Sequence, residues 1–138
     1  MDRLFLDANV LFSAAYRGDA AVKRLWADAE AELVTSTYAL AEVERNLGTT
    51  GELERLSELL EAVTVVGVSA IPAAISEGID LPEKDLPILA GALAARCTHL
   101  ITGDLRHFGR YLGTRIGGVL VVTPAAYLRE GHAGPRPA

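Results

Sequence analysis

The chain has 138 residues, one cysteine, three histidines and a formal net charge of -5. That length suits one domain burying about 68% of its unfolded surface, and the lone Cys97 excludes an internal disulfide and a cysteine-based zinc site. The negative balance excludes a broad basic coat for nucleic acid, but not a nuclease whose acids are gathered in one site and neutralised there by metal ions.

Arg3 to Leu6 lacks helical spacing and runs into Asp7, which predicts a short buried strand ending at that carboxylate, with Ala8 and Asn9 turning into an apolar stretch, Val10 to Ala15. Gly18 breaks the pattern before a helical stretch from Ala20 to Glu30, where Ala21, Leu25 and Trp26 share a face. Leu33 to Thr35 reads as a second strand. Ser36 or Thr37 caps a helix through Leu47, stopped by Gly48; its stripe is Leu40, Val43 and Leu47, leaving Glu42, Arg45 and Asn46 on another face. Gly51 opens a helix to Glu61 with Leu53, Leu56, Leu59 and Leu60 as its apolar side.

Val63 to Val68 is β-branched and predicts a third strand. Pro72 to Gly78 predicts a short helix, and Ile79 to Pro82 a loop. Asp85 to Cys97 predicts an Ala-rich helix with Pro87 in its first turn, whose small residues Ala90, Gly91 and Ala94 allow close approach to a sheet. Thr98 to Thr102 is the fourth strand, Gly103-Asp104 its exit turn, and Val119 to Val122 the fifth. Thr123 and Pro124 then start a last helix to Arg129. Residues 1–130 are expected to form the domain and 131–138, with two Pro and two Gly, a disordered tail.

Apolar strands alternating with helices predict an α/β fold, a mostly parallel five-stranded sheet covered on both faces. No run of 18 apolar residues occurs, and Met1-Asp2-Arg3 leads straight into a short apolar run. Neither a membrane span nor a secretory leader is expected, and a cytoplasmic setting is.

In such sheets the ligand site lies beyond the carboxyl ends of the strands, where strand order reverses. Asp7 ends the first strand, Glu42 sits early in the helix after the second, Asp85 opens the helix leading to the fourth, and Asp104 leaves the fourth. Each has a structural explanation too: a helix cap for Asp85, a solvated surface for Glu42, a backbone turn for Asp104. Asp7 has the weakest one, being embedded between Leu-Phe-Leu and Val-Leu-Phe. Clustered carboxylates repel unless a cation joins them, and an all-oxygen set selects Mg2+ or Mn2+. That combination suits metal-assisted hydrolysis of a phosphodiester.

The segments Leu6-Asp7-Ala8-Asn9-Val10-Leu11, Leu40 to Leu47 (Leu-Ala-Glu-Val-Glu-Arg-Asn-Leu), Lys84-Asp85-Leu86-Pro87-Ile88-Leu89 and Leu100-Ile101-Thr102-Gly103-Asp104 resemble the four motifs of PIN domains, in order. The likeness continues through Val121 to Leu128. The resemblance implies a three-layer α/β/α sandwich and a Mg2+- or Mn2+-dependent endoribonuclease. It also implies service as the toxin of a toxin-antitoxin pair of the VapC type, with an RNA substrate, an antitoxin partner and a homodimeric state. Carried over residue by residue, Asp7, Glu42, Asp85 and Asp104 would hold the metal, with Asn9 and Thr102 orienting carboxylates or water.

One position departs from the pattern: many members carry a further acid soon after Thr-Gly-Asp, where this chain reads Leu105-Arg106-His107-Phe108. Lys84, Arg106, Arg110 and Arg115 are candidates for contact with RNA phosphates. His99 is expected to be packed within its strand, and His107 to matter only if it reaches the metal-bound water. Two other functions compete. A haloacid-dehalogenase-like phosphatase would need a second acid at the place of Asn9, and a PIN-type scaffold or RNA-binding module would hold metal too weakly for turnover.

Overall fold

A computed structural model of the chain describes residues 1–17, 21–27, 30–67 and 69–131. The strands are β1 (Arg3–Leu6), β2 (Glu32–Ser36), β3 (Val63–Val66), β4 (His99–Ile101), β5 (Arg115–Ile116) and β6 (Val119–Val122). They form one sheet in the order β3-β2-β1-β4-β6-β5, parallel throughout except for the β5–β6 pair. The fold is therefore the expected α/β sandwich, with six strands rather than five. The extra strand is two residues long, too short for a periodic signal. Gly117 and Gly118, at φ 57° and 90°, make the tight turn that joins it to β6.

The longer helices are α1 (Ala8–Tyr16), α3 (Thr37–Asn46), α4 (Thr50–Leu60), α6 (Leu86–Ala94) and α8 (Pro124–Gly131); one-turn helices are α2 (Arg24–Ala27), α5 (Ala73–Ser76) and α7 (Leu105–Phe108). Local chemistry sets their starts. Asp7, Ser36 and Thr49 each accept a backbone N–H at an N-cap, and Thr49 with Glu52 forms a capping box. The stretch expected as one helix over Ala20–Glu30 shows a 3-10 turn at Ala21–Lys23 followed by α2, while residues 18–20 and 28–29 lie outside the described residues. Residues 132–138, most of the expected tail, also lie outside them, as does Val68 at the end of the expected third strand.

Side chains of a strand alternate between faces, yet Leu4, Phe5 and Leu6 are all fully buried. Helices therefore cover β1 on both sides. Against Phe5 lies α6: a Cβ on Gly91 would stand 2.8 Å from the ring, so only glycine lets the helix come this close. Ala90 and Ala92 are buried with it, whereas Ala94 faces solvent and takes no part in that approach. The helix ends with Arg96 at φ 54° and the Cys97 N–H on the Ala92 carbonyl. Leu53, expected on the apolar side of α4, is 44% exposed; Leu56 and Leu59 carry the packing. On the edge strand β3, Val65 is 39% exposed.

Candidate metal centre

Strand order reverses between β1 and β4, since β2 and β3 build outward from one side of β1 while β4, β6 and β5 build from the other. At the carboxyl ends of these two strands the backbone ladder continues: the Asp7 N–H bonds the Ile101 carbonyl at 3.0 Å, and the Thr102 N–H bonds the Val122 carbonyl at 3.0 Å. Asp7 and Thr102 therefore leave adjacent strands side by side.

Asp7 is 4% exposed and fully hydrogen-bonded. Its Oδ1 accepts from the Ala8 N–H at 2.7 Å, and its Oδ2 accepts from Asn9 Nδ2 at 3.1 Å and from the Thr102 hydroxyl at 2.8 Å. Asn9 reaches the other way as well, accepting the Gly103 N–H at 2.7 Å through its Oδ1. Thr102 Oγ1 accepts from the Asp104 N–H at 3.0 Å. These bonds tie the ends of β1 and β4 into one rigid corner. Burial nevertheless pushes the Asp7 carboxyl up from 3.8 to about 6, with the three hydrogen bonds acting against the rise and the nearby Asp85 charge adding to it.

Asp85 closes a 3-10 turn (Glu83–Asp85) just before α6 and is 8% exposed. It sits at the helix cap position but makes no capping bond, so its carboxylate is directed elsewhere. Its Oδ2 lies 2.8 Å from His107 Nδ1. Burial raises its carboxyl above the ordinary value; His107 and Lys84 oppose that rise, and Asp104 and Glu42 add to it. Asp104 does cap α7, accepting the His107 N–H at 3.1 Å, while its other oxygen lies 2.9 Å from His107 Nδ1. The donor atoms of Asp85, Asp104 and His107 all fall within 4.8 Å of one another.

Glu42 stands further out. It is half-buried on α3 and lines a cleft of about 350 Å³ with Ala8, Asn9, Phe12, Val43 and Asn46. Its charge reaches the site, being among those that disfavour ionisation of Asp85 and of Tyr38. The structure thus brings Asp7, Asp85 and Asp104 to one corner with Glu42 at its margin. Asn9 and Thr102 touch the Asp7 carboxylate directly.

The basic residues divide. Arg106 and Arg110 line a groove of about 280 Å³ with Asp80, Pro82 and His107, which opens beside the acids. Arg110 pairs there with Asp80 at 2.6 Å, a solvent-exposed contact of little strength. Lys84 is exposed next to Asp85, and its carbonyl accepts the Tyr38 hydroxyl at 2.7 Å. Arg115 is not brought to the acids: its guanidinium reaches the Gly118 carbonyl at 3.3 Å, at the turn that precedes the amino end of β6. His99 is packed as expected, 7% exposed and edge-on to Tyr127 at 5.1 Å. The Cys97 thiol is buried and pushed up to about 11, which leaves it without nucleophilic character at neutral pH.

His107 is the residue that sequence reasoning undervalued. The signal was its i+3 spacing from Asp104, which on a short capped helix folds the ring back over the capping carboxylate. Among the described residues, Asp85 Oδ2 and His107 Nδ1 are buried without an aligned hydrogen bond, although they are 2.8 Å apart. Two buried acids whose carboxyls are raised, Asp7 and Asp85, next to Asp104 and a buried, unaligned donor set, fit a divalent cation.

Fold and corner together define a parallel α/β sandwich with an acid cluster at its topological switch point. A PIN domain family model matches residues 3–106, and the chain belongs to that family. No curated protein is matched by the sequence. Among solved structures, a toxin-antitoxin complex from Klebsiella pneumoniae is similar at 24% identity and a TM-score of 0.64, covering 88% of this chain and 97% of that one. VapBC2 from Rickettsia felis, bound to a DNA fragment from its promoter, is similar at 17% identity and a TM-score of 0.62, covering 88% and 98%. The sarcin-ricin-loop-cleaving toxin VapC20 of Mycobacterium tuberculosis is similar at 20% identity and 0.51, covering 73% and 91%. At these identities the likeness carries the fold.

Proposed function

We propose that the protein is a divalent-metal-dependent endoribonuclease and the toxin of a toxin-antitoxin pair. The observation that carries the nuclease reading is the cluster of Asp85, Asp104 and His107, in which Asp85 Oδ2 and His107 Nδ1 are buried without an aligned hydrogen bond, beside the buried Asp7 carboxylate on which the Asp85 charge acts. Membership of the PIN family and the likeness to toxin-antitoxin structures support the biological role.

In this reading Asp7, Asp85 and Asp104 hold Mg2+ or Mn2+, with Glu42 reached directly or through water. When bound, such a cation supplies a water of lowered pKa and stabilises charge on the phosphoryl oxygens. The chain contributes the rest. Asn9 and Thr102 fix the orientation of Asp7 through bonds made before any metal arrives, so little reorganisation is needed. Arg106 and Arg110 flank the groove that leads to the acids and are placed to meet the phosphates of a bound strand, Arg110 exchanging its exposed partner Asp80 for the nucleic acid.

The purified protein should cut a structured RNA in Mn2+, with 5'-phosphate and 3'-hydroxyl ends. Asp104→Asn should abolish cutting while the far-ultraviolet spectrum stays native. Full activity in excess chelator overturns the metal-dependent reading. Co-purification with a small protein encoded beside this one, and inhibition by it, tests the toxin role.

A further inference from the structure

The corner contains a nitrogen as well as oxygens. His107 Nδ1 lies 2.8 Å from Asp85 Oδ2 and 2.9 Å from Asp104 Oδ2. Two groups bound at right angles to an octahedral ion with bonds of about 2.1 Å stand about 3 Å apart, so both spacings match neighbouring ligands on one cation.

A simple ion pair is the competing explanation. It would aim one Nδ1–H along one oxygen. Here the ring nitrogen and Asp85 Oδ2 are both buried, and neither has an aligned hydrogen bond among the described residues. Asp85 is more than nine-tenths buried, so water does not compensate it freely. With the ring proton on Nε2, the buried nitrogen and the buried carboxylate oxygen can both direct lone pairs at a third group. Asp104 holds the ring in that pose by accepting the His107 N–H at 3.1 Å.

We propose that His107 Nδ1 is a direct ligand of the divalent cation, making the site a mixed nitrogen and oxygen shell with Asp85 and Asp104. This rests on the metal-binding reading above and deepens it by naming the preferred ion. An imidazole moves a carboxylate site away from Mg2+, which keeps oxygen and water, toward Mn2+ and the later first-row ions. The site therefore discriminates for Mn2+ over Mg2+ more strongly than the same corner with only oxygens.

Pulsed electron paramagnetic resonance of the full-length protein loaded with Mn2+ tests the bond without relying on activity. The expected spectrum carries the nitrogen coupling of a directly bound imidazole, and His107→Ala loses it. Calorimetric titration of Mn2+ and Mg2+ gives the energetics. His107→Ala should bind Mn2+ at least about tenfold more weakly, the lower end of what even outer-shell partners cost, and His107→Asp should lower the ratio of Mn2+ to Mg2+ affinity. Mn2+ binding to the wild type with no nitrogen coupling and an unchanged affinity in His107→Ala overturns the role of His107 while leaving a carboxylate site standing. No Mn2+ binding to the wild type at millimolar metal overturns the metal-binding reading itself.

Discussion

Replacing Asp7 with Asn separates what this carboxylate does for stability from what it does for the site. Burial raises its carboxyl from 3.8 to about 6 even though three hydrogen bonds favour the charge. The native state therefore binds more protons than the unfolded chain between about pH 4 and pH 6, and stability falls as pH rises through that window. Above it, ionised Asp7 costs the metal-free fold about 3 kcal/mol, at about 1.4 kcal/mol for each tenfold change in affinity for the proton. Asp7→Asn removes that cost. The amide oxygen keeps the bond from the Ala8 N–H, and the Thr102 hydroxyl turns to accept from the new nitrogen. Asn9 Nδ2 loses its acceptor, a penalty of about 1 kcal/mol. The net is a stabilisation of about 2 kcal/mol at about pH 8 in chelator, or about 4–8 °C in melting temperature, reversing to a loss of about 1 kcal/mol near pH 4. Urea unfolding of both proteins at the two pH values measures it. An equal loss of stability at both refutes the reasoning, because the carboxylate would then be held by its bonds rather than strained by its charge.

Thr102→Val keeps the shape of the side chain but removes both the donor to Asp7 and the acceptor for the Asp104 N–H, and should weaken Mn2+ binding about 10–100-fold in calorimetry with little change in secondary structure. Gly91→Ala drives a methyl to 2.8 Å from the Phe5 ring and should cost about 1–3 kcal/mol in urea unfolding, a cost that Phe5→Leu in the same chain relieves in part. Arg96→Gly removes a side chain from a left-handed backbone position and should stabilise by about 0.5–1 kcal/mol in the same assay. Arg106→Ala should weaken RNA binding and its salt dependence while leaving Mn2+ affinity unchanged, since the side chain lines the groove without touching the acids.

The order of strands and helices was written in local patterns. Continuous apolar runs marked β1 and β4, and Ser36 and Thr123 marked helix starts that their hydroxyls do cap. Asp7 stood out because a carboxylate inside Leu-Phe-Leu and Val-Leu-Phe has to be compensated by something. Where local pattern was thin, the sequence was a poorer guide. Two residues of β5 carry no period, although Gly117-Gly118 is a hairpin signal. Arg115 shares its chemistry with Arg106, yet one lies against the Gly118 carbonyl and the other beside the acid corner.

The sequence by itself determined that this chain makes a parallel α/β sheet with Asp7, Asp85 and Asp104 near strand ends and helix starts, because propensity, capping and apolar runs act over a few residues. Only the tertiary structure decided which of those groups share a corner. The packing of β4 beside β1 sets Thr102 against Asp7, and the capped turn of α7 lays His107 between Asp85 and Asp104. Such distances depend on sheet order and on one helix cap rather than on any spacing along the chain, so a histidine that looked incidental in sequence became a candidate ligand in space.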